Sequence, residues 1–226
     1  MENGDAYNNY FRSEWRSFAA DESRYSLLLK EAGGEPVARV LDVGCGAGQE
    51  LLPFFKEKAA FCVGVDILSG AIKVAREELE NEKIADKFGF ALARGEGLPF
   101  AGGSFDVVIC RVALPYMKND AALAEMSRVL KPSGKLFLKT HAPAFYFAMM
   151  KNAVKEKKLK RAYYSAFCLA SGTWHLLTGK QLVVKGREVF QTEKHLRKQL
   201  RNFALKIVRE MPDTNQQTPS YLIVKE

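Results

Sequence analysis

Cysteine and histidine are scarce in this chain, and neither is arranged for metal or redox work. The four cysteines, Cys45, Cys62, Cys110 and Cys168, are scattered with no C-x-x-C spacing. A chain of this size needs no disulfide staples, so they read as structural thiols. The three histidines, His141, His175 and His195, form no i, i+4 pair or other zinc spacing, so no metal is expected. No apolar run reaches the ~18–20 residues that span a bilayer. The opening residues Met1 to Asp5 are polar and acidic with no apolar segment behind them, so a cytoplasmic protein is expected. Prolines number only eight, and 47% of residues are hydrophobic against 27% charged, which excludes disordered and fibrous classes.

What is present is enough chain, 226 residues, for one large domain with a buried core. Its charge is unevenly placed. Residues 1–149 carry 18 basic and 20 acidic side chains, whereas residues 150–226 carry 16 basic and 6 acidic. The last third is therefore chemically distinct.

Residues 1–36 read as a helical cap, with apolar positions such as Trp15, Phe18, Leu27 and Leu28, stopped at Gly33-Gly34-Glu35-Pro36. From Val40 the pattern becomes short apolar runs, at 40–43, 61–65, 105–110 and 135–139, separated by helix-length segments at 49–58, 69–83 and 120–130. The runs are apolar on both faces, as strands covered on both sides of a sheet must be. Strand–helix alternation predicts an α/β fold with a mainly parallel sheet and helices on both faces. Residues 37–140 form its core. After Thr140 the rhythm breaks, and 141–191 read as an insertion or lid on the sheet's carboxyl edge. A helix from Thr192, its N-cap, to about Arg201 follows, then strands at 203–208 and 221–224, so 192–226 complete the sheet.

The strongest local signal is Val40-Leu41-Asp42-Val43-Gly44-Cys45-Gly46-Ala47-Gly48. A buried strand enters a turn with glycine at every second position, where positive φ and close ligand approach are both possible. Asp66 ends the next strand, where a carboxylate can accept hydrogen bonds from both ribose hydroxyls of a nucleoside. A dinucleotide site wants G-x-G-x-x-G for its pyrophosphate. Here the spacing is G-x-G-x-G, and Asp42 stands two residues before the first glycine. That carboxylate would repel a pyrophosphate and suits a ligand bearing an ammonium and a sulfonium.

On these residues the chain resembles the class I S-adenosylmethionine-dependent methyltransferases, in the branch of small Rossmann-like enzymes (methyltransferase type 11-like) acting mostly on small molecules. The resemblance runs from about Val40 to Leu138 through V-L-D-V-G-C-G-A-G, V-G-V-D-I, L-P-F-A-G-G-S-F-D-V-V and R-V-L-K-P-S-G-K-L. It implies a Rossmann-like sheet with a final antiparallel strand, the helical insertion falling between the fifth and sixth strands. It implies S-adenosyl-L-methionine as cofactor and S-adenosyl-L-homocysteine as product. Gly44, Gly46 and Gly48, with Val43 and Cys45, would wrap the methionine portion, and Asp42 would orient the turn. Asp66 would bind the ribose, with Ile67 beside the adenine. Where the family usually reads G-D-A-E, this chain has Ala93-Arg94-Gly95-Glu96. Arg94 cannot accept a hydrogen bond from the adenine amine, so Gly95 backbone and the Glu96 carboxylate are the substitutes. Cys110 and Arg111 would end the fourth strand where cofactor and substrate meet.

Methyl transfer is an in-line displacement that depends mainly on positioning, and a base is needed only for a proton of high pKa. His141, just past the fifth strand, is the candidate catalytic base, and a packing histidine is the competing reading. Tyr116 reads as pocket wall, and His175 as a residue that could line the acceptor site. Tyr7, Tyr10 and Arg12 could close over the cofactor's carboxylate. The insertion joins an apolar run at 144–150 to a segment, 151–161, with six basic residues of eleven, and then to aromatic 163–169. It reads as a solvated amphipathic helix, as a lid over a bulky or anionic acceptor, or as a peripheral contact with anionic membrane through 144–169. Nucleic acid is not an expected partner. The expected function is methyl transfer to a small molecule, with a lipid- or sugar-linked acceptor in view. A cofactor-binding scaffold or sensor without transfer remains the alternative, and an RNA or protein acceptor a further one.

Overall fold

The structure is a computed structural model that describes residues 2–33, 37–57, 61–81, 88–182 and 188–226. Its centre is a seven-stranded sheet in the order β3-β2-β1-β4-β5-β7-β6. The strands are β1 (Arg39–Val43), β2 (Phe61–Asp66), β3 (Phe88–Leu92), β4 (Phe105–Arg111), β5 (Leu130–Lys139), β6 (Leu205–Glu210) and β7 (Ser220–Lys225). Strands β1 to β5 pair in parallel, and β7 runs antiparallel to both β5 and β6. The mainly parallel Rossmann-like sheet with a late antiparallel strand is thus present.

Alternate residues along each strand feed two cores. Leu41, Val43, Val63, Val65, Val108 and Leu136 face α5 (Asn119–Val129) and α8 (Glu193–Arg201). Val40, Cys62, Val107, Ile109 and Phe137 face α2 (Glu22–Ala32) and α3 (Leu52–Glu57). Burial on both faces is why the strand runs are continuously apolar. The remaining helices are α1 (Glu2–Ala19), α4 (Ser69–Asn81), α6 (Pro143–Lys155) and α7 (Leu159–Thr178).

Several boundaries differ from the sequence reading, each for a local reason. The N-terminal helical segment breaks at Asp21, whose carboxylate accepts from Ser23 N at 3.1 Å and caps α2. The helix expected over 49–58 opens as a 3-10 turn, Gln49–Leu51, because Pro53 lacks an N–H and is tolerated only in the first α-helical turn. Lys58 and the Gly34–Pro36 stop lie outside the described residues. β3, which the apolar-run reading does not name, is a half-exposed edge strand containing Gly89 and no β-branched residue. Strand β6 starts two residues late, since Ala204 at φ +52° still turns the chain out of α8. Thr192 does cap α8, its Oγ1 accepting from His195 N at 3.4 Å.

The sheet order reverses direction between β1 and β4. In open α/β sheets the crevice outside such a switch point is where ligands bind. The carboxyl end of β1 is the glycine turn, and the carboxyl end of β4 is Arg111.

The histidines are less isolated than their spacing implies. His175 of α7 is buried, with Nε2 3.1 Å from His195 Nε2 and 3.4 Å from Gln199 Nε2. His175 therefore faces α8 and not an acceptor site. Burial lowers both imidazole pKa values; His175 lowers that of His195 further, while Asp120 opposes the shift in each. The unfolded chain then takes up protons more readily than the folded one, so stability is full above the ordinary imidazole pKa of ~6.5 and falls as pH drops through it. Urea midpoints should decline from pH 7.5 to 5, and His195→Gln should flatten that decline. An unchanged slope in the variant would remove the pair as the cause.

Candidate active site

The glycine turn is held from below by β2. Gly44 N and Cys45 N both donate to Val65 O, at 2.8 and 3.0 Å. Gly44, Gly46 and Gly48 all have positive φ, at 76°, 53° and 79°, a region that L side chains rarely enter. At Gly44 space is also decisive: a Cβ there would sit 2.3 Å from Ala113 Cβ, on the segment leaving β4. The turn is clasped at its tip by Asp66, whose Oδ2 accepts from Gly46 N at 3.0 Å while Oδ1 accepts from Leu68 N at 2.9 Å. The sequence places Asp66 at the end of β2 but does not reveal this second task.

Acidic groups dominate around the turn. Burial pushes the Asp42 carboxyl well up, nearby Glu50 and Asp66 push it the same way, and Arg111 opposes them. Arg111 is nearly buried and fully engaged: Nε donates to Glu50 at 3.2 Å, Nη1 to Ser220 Oγ at 3.2 Å, and Nη2 to Asp213. Its side chain is thus directed into a polar pocket between the turn and β7, from the strand end where cofactor and substrate are expected to meet. Lys139 Nζ adds a 2.7 Å bond to Asp213. Burial alone would raise the Asp213 carboxyl, but Arg111 and Lys139 outweigh it and hold it at about 2. Cys110 is likewise turned inward, its thiol pushed up to about 12 by burial, so only its backbone reaches the sheet edge. Cys45 is buried as well.

Across the crevice, the post-β3 segment faces the turn. A Cβ on Gly95 would lie 2.5 Å from Met117 Sδ and 3.1 Å from Val43 Cγ1, so backbone approaches here too. Glu96 Oε1 accepts from Lys118 N at 2.9 Å, which ties this segment to the one leaving β4. Ile67, 61% exposed, stands just past Asp66 at the start of α4. Met117, lying between Gly44 and Gly95, borders the crevice although the sequence reading does not single it out. Helix α1 covers the turn from above, with the Phe11 ring 3.3 Å from where a Gly46 Cβ would be. Arg12, expected over a ligand carboxylate, instead pairs with Glu77 and Glu78 of α4, the latter at 2.7 Å. Tyr10 and Tyr116 are exposed, and the Tyr7 side chain lies outside the described residues. A cavity of about 420 Å³ opens at the outer edge of the sheet, lined by Ile72, Arg76, Phe90 and Leu92 among others.

His141 sits at the other side of the crevice in a buried polar cluster. Its Nδ1 is 2.6 Å from Glu188 Oε2 and 3.2 Å from Tyr146 Oη, and its ring stacks on Phe145 at 3.9 Å. Tyr146 donates to the same Glu188 oxygen at 2.7 Å, and Tyr164 of α7 donates to the other. Burial pushes the Glu188 carboxyl up, but the bonds from His141, Tyr164 and Tyr146 prevail and hold it below the usual range. An ionised carboxylate only accepts, so Nδ1 carries a proton toward Glu188, and in the neutral tautomer that this selects the lone pair is on Nε2. Nε2 has no hydrogen-bond partner among the described residues. Glu188 is invisible to sequence reasoning, being 47 residues from His141 in an irregular stretch. That stretch bridges the two loops: Val189 N donates to Pro115 O and Gln191 N to His141 O, both at 2.9 Å.

Residues 41–138, the stretch that holds the glycine turn and Asp66 and runs from β1 into β5, match the family model described as a methyltransferase domain. An uncharacterised methyltransferase, YcgJ, of Bacillus subtilis (strain 168) is 35% identical over 135 residues, which cover 58% of this chain and 51% of that protein. The ubiquinone/menaquinone biosynthesis C-methyltransferase UbiE of Shewanella pealeana is 34% identical over 125 residues, 54% of this chain and 50% of UbiE. The chain thus spans about half the length of the curated relatives it matches. Among solved structures, the geranyl diphosphate C-methyltransferase of Streptomyces coelicolor superposes with a TM-score of 0.63 at 11% identity, covering 91% of this chain and 77% of that one. This last likeness is one of fold.

The Arg111 pocket yields a stability prediction. Arg111→Met would leave Glu50 without its buried cation and Asp213 with Lys139 alone, a change that typically costs about 3–5 kcal/mol. Urea denaturation should show a loss of that order. A loss below about 1 kcal/mol would mean the pocket is solvated and the ion pairs contribute little.

Proposed function

We propose that this chain is an S-adenosyl-L-methionine-dependent methyltransferase acting on a small-molecule acceptor and releasing S-adenosyl-L-homocysteine. The observation that carries it is the glycine turn at the switch point, clasped by Asp66 and flanked by Asp42 and Glu50. That setting favours a ligand with an ammonium and a sulfonium over a pyrophosphate. In this reading residues 37–140 form the cofactor-binding core, 1–36 its cap, 141–191 the lid, and 192–226 the completion of the sheet. Backbone at Val43, Gly44, Cys45, Gly46 and Gly48 wraps the methionine portion, Asp42 orients the turn, and Asp66 takes the ribose hydroxyls. Ile67, Gly95 and Glu96 border the adenine. Cys110 contributes backbone, and Arg111 acts as a positioning residue through Glu50.

S-adenosyl-L-methionine held by these residues would supply the methyl group, its sulfur keeping the electrons of the broken bond when the acceptor's lone pair attacks. The protein's part is to hold the acceptor in line and to take its proton. His141 Nε2 is the group proposed for that proton, with Glu188 fixing the tautomer through Nδ1. A base of this kind is needed by a hydroxyl or an acidified carbon. The name of UbiE, a C-methyltransferase of quinone biosynthesis, supports an acceptor of small, lipid-linked type.

Two measurements test these assignments. S-adenosylhomocysteine should raise the melting temperature and NAD should not, because a ligand that binds only the native state stabilises it by mass action; equal stabilisation by NAD would overturn the cofactor. Asp66→Ala should weaken S-adenosylhomocysteine about tenfold to a hundredfold, the loss of charge-assisted bonds worth roughly 1.5–3 kcal/mol, and Asp66→Asn should recover part of that by still accepting from Gly46 N. Unchanged affinity in both folded variants would place the ribose elsewhere. With labelled S-adenosylmethionine and a cell extract as acceptor source, His141→Gln should lower label transfer while leaving S-adenosylhomocysteine affinity intact. Binding without transfer in the parent protein would point to a sensor.

A further inference from the structure

Helix α7 is apolar on more than one side. Its fully buried positions are small or polar, Ser165, Cys168, Ser171, Gly172 and His175, with Tyr164, Leu169 and Leu176 packed half-buried beside them. Gly172 lets the Phe190 ring press against the helix, since a Cβ there would lie 2.3 Å from it. The outward face carries large apolar side chains as well. Leu159 is 81% exposed, Leu177 80% and Trp174 47%. With Ala166 and Ala170, also exposed, they follow spacings of seven, four, four and three, which keep them on one side of a helix. The stripe runs about 27 Å at 1.5 Å per residue. A helix that merely packed on a domain in water would bury Leu159 and Leu177 and expose the serines.

At one end of this stripe the charge is equally one-sided. The end of α6, the turn after it and the start of α7 expose Lys151, Lys155, Lys157, Lys158, Lys160 and Arg161. Against these six cations, residues 151–161 hold one acid, Glu156, paired with Lys158 Nζ at 2.7 Å. Val154, 64% exposed, sits among them. A second copy of this chain would bring its own cations to the same place. Apolar side chains beside a dense cationic cluster match a surface that offers anionic groups and, directly beneath them, hydrocarbon. No described helix is long and apolar enough to cross a membrane, so the contact is one of lying on it.

We propose that the outer face of the α6–α7 hairpin docks this protein on an anionic lipid bilayer, with Leu159, Trp174 and Leu177 entering the interface and the lysine cluster meeting the headgroups. The hairpin is also the wall of the candidate acceptor site. α6 begins two residues after His141, and Tyr164 of α7 bonds Glu188. Resting on the methyltransferase reading, docking by this face makes the acceptor an amphiphile drawn from the bilayer. The docking itself stands without that reading.

The test is flotation of the full chain with vesicles of phosphatidylcholine alone or with phosphatidylglycerol added at three parts in ten (an arbitrary, roughly physiological load). The protein should float with the anionic vesicles only, less so as salt rises, and Trp174 emission should shift to the blue on binding. Changing Lys155, Lys157, Lys158 and Lys160 together to Gln should lower the partition coefficient on the order of a hundredfold or more. Leu159→Ser with Leu177→Ser should also weaken binding while the melting temperature holds or rises. Both variants should keep parental S-adenosylhomocysteine affinity, so failure of docking and failure of the cofactor assignment are read separately. Absence of flotation, equal binding to neutral vesicles, or a concentration-dependent dimer abolished by the Leu variant would each overturn the proposal, the last in favour of a second copy as occupant.

Discussion

The approach of Gly44 to Ala113 sets the geometry of everything around it. Two parallel strands diverge at the switch point, and the turns leaving them come close enough there that a Cβ on Gly44 would overlap the one on Ala113. With no side chain in the way, Gly44 N and Cys45 N reach Val65 O, the turn folds back over β2, and Gly46 N meets the Asp66 carboxylate. The segment after Ala113 then carries Met117 against Gly95 and Pro115 against Val189. A single missing methyl group thereby couples the glycine turn to the cluster of His141 and Glu188.

Charge is arranged in two layers about that contact. About the turn, Glu50 and Asp66 set acidic side chains beside Asp42, whose carboxyl burial pushes well up toward its neutral form. Beneath it, Arg111 pairs with Glu50 and Asp213 and Lys139 with Asp213, and the two cations hold the Asp213 carboxyl at about 2 against the burial that would raise it.

The sheet, its order of helices and the turn were legible because their causes are local. Runs apolar on both faces, three glycines at alternate positions and an acid at a strand end each report the backbone conformation they occupy. The edge strand β3 was not, since a half-exposed strand with Gly89 and no β-branched residue lacks the burial that writes such a pattern. The pairings of Arg111 with Asp213, His141 with Glu188 and His175 with His195 were hidden for another reason. They join residues 102, 47 and 20 positions apart, and nothing in spacing announces a contact made by tertiary packing. The α7 face was half legible: the basic run is plain in the sequence, but the inward placement of its serines required the packing against Phe190.

Amide hydrogen exchange with and without S-adenosylhomocysteine tests the central claim, that the switch-point turn and Asp66 hold the cofactor. Ligand binding slows exchange where backbone donors are sequestered. The account predicts new protection gathered in residues 43–48, 66–68, 93–96 and 111–117, all bordering the crevice. Protection confined to the cavity between α4 and β3, or no protection at saturating ligand, would contradict it.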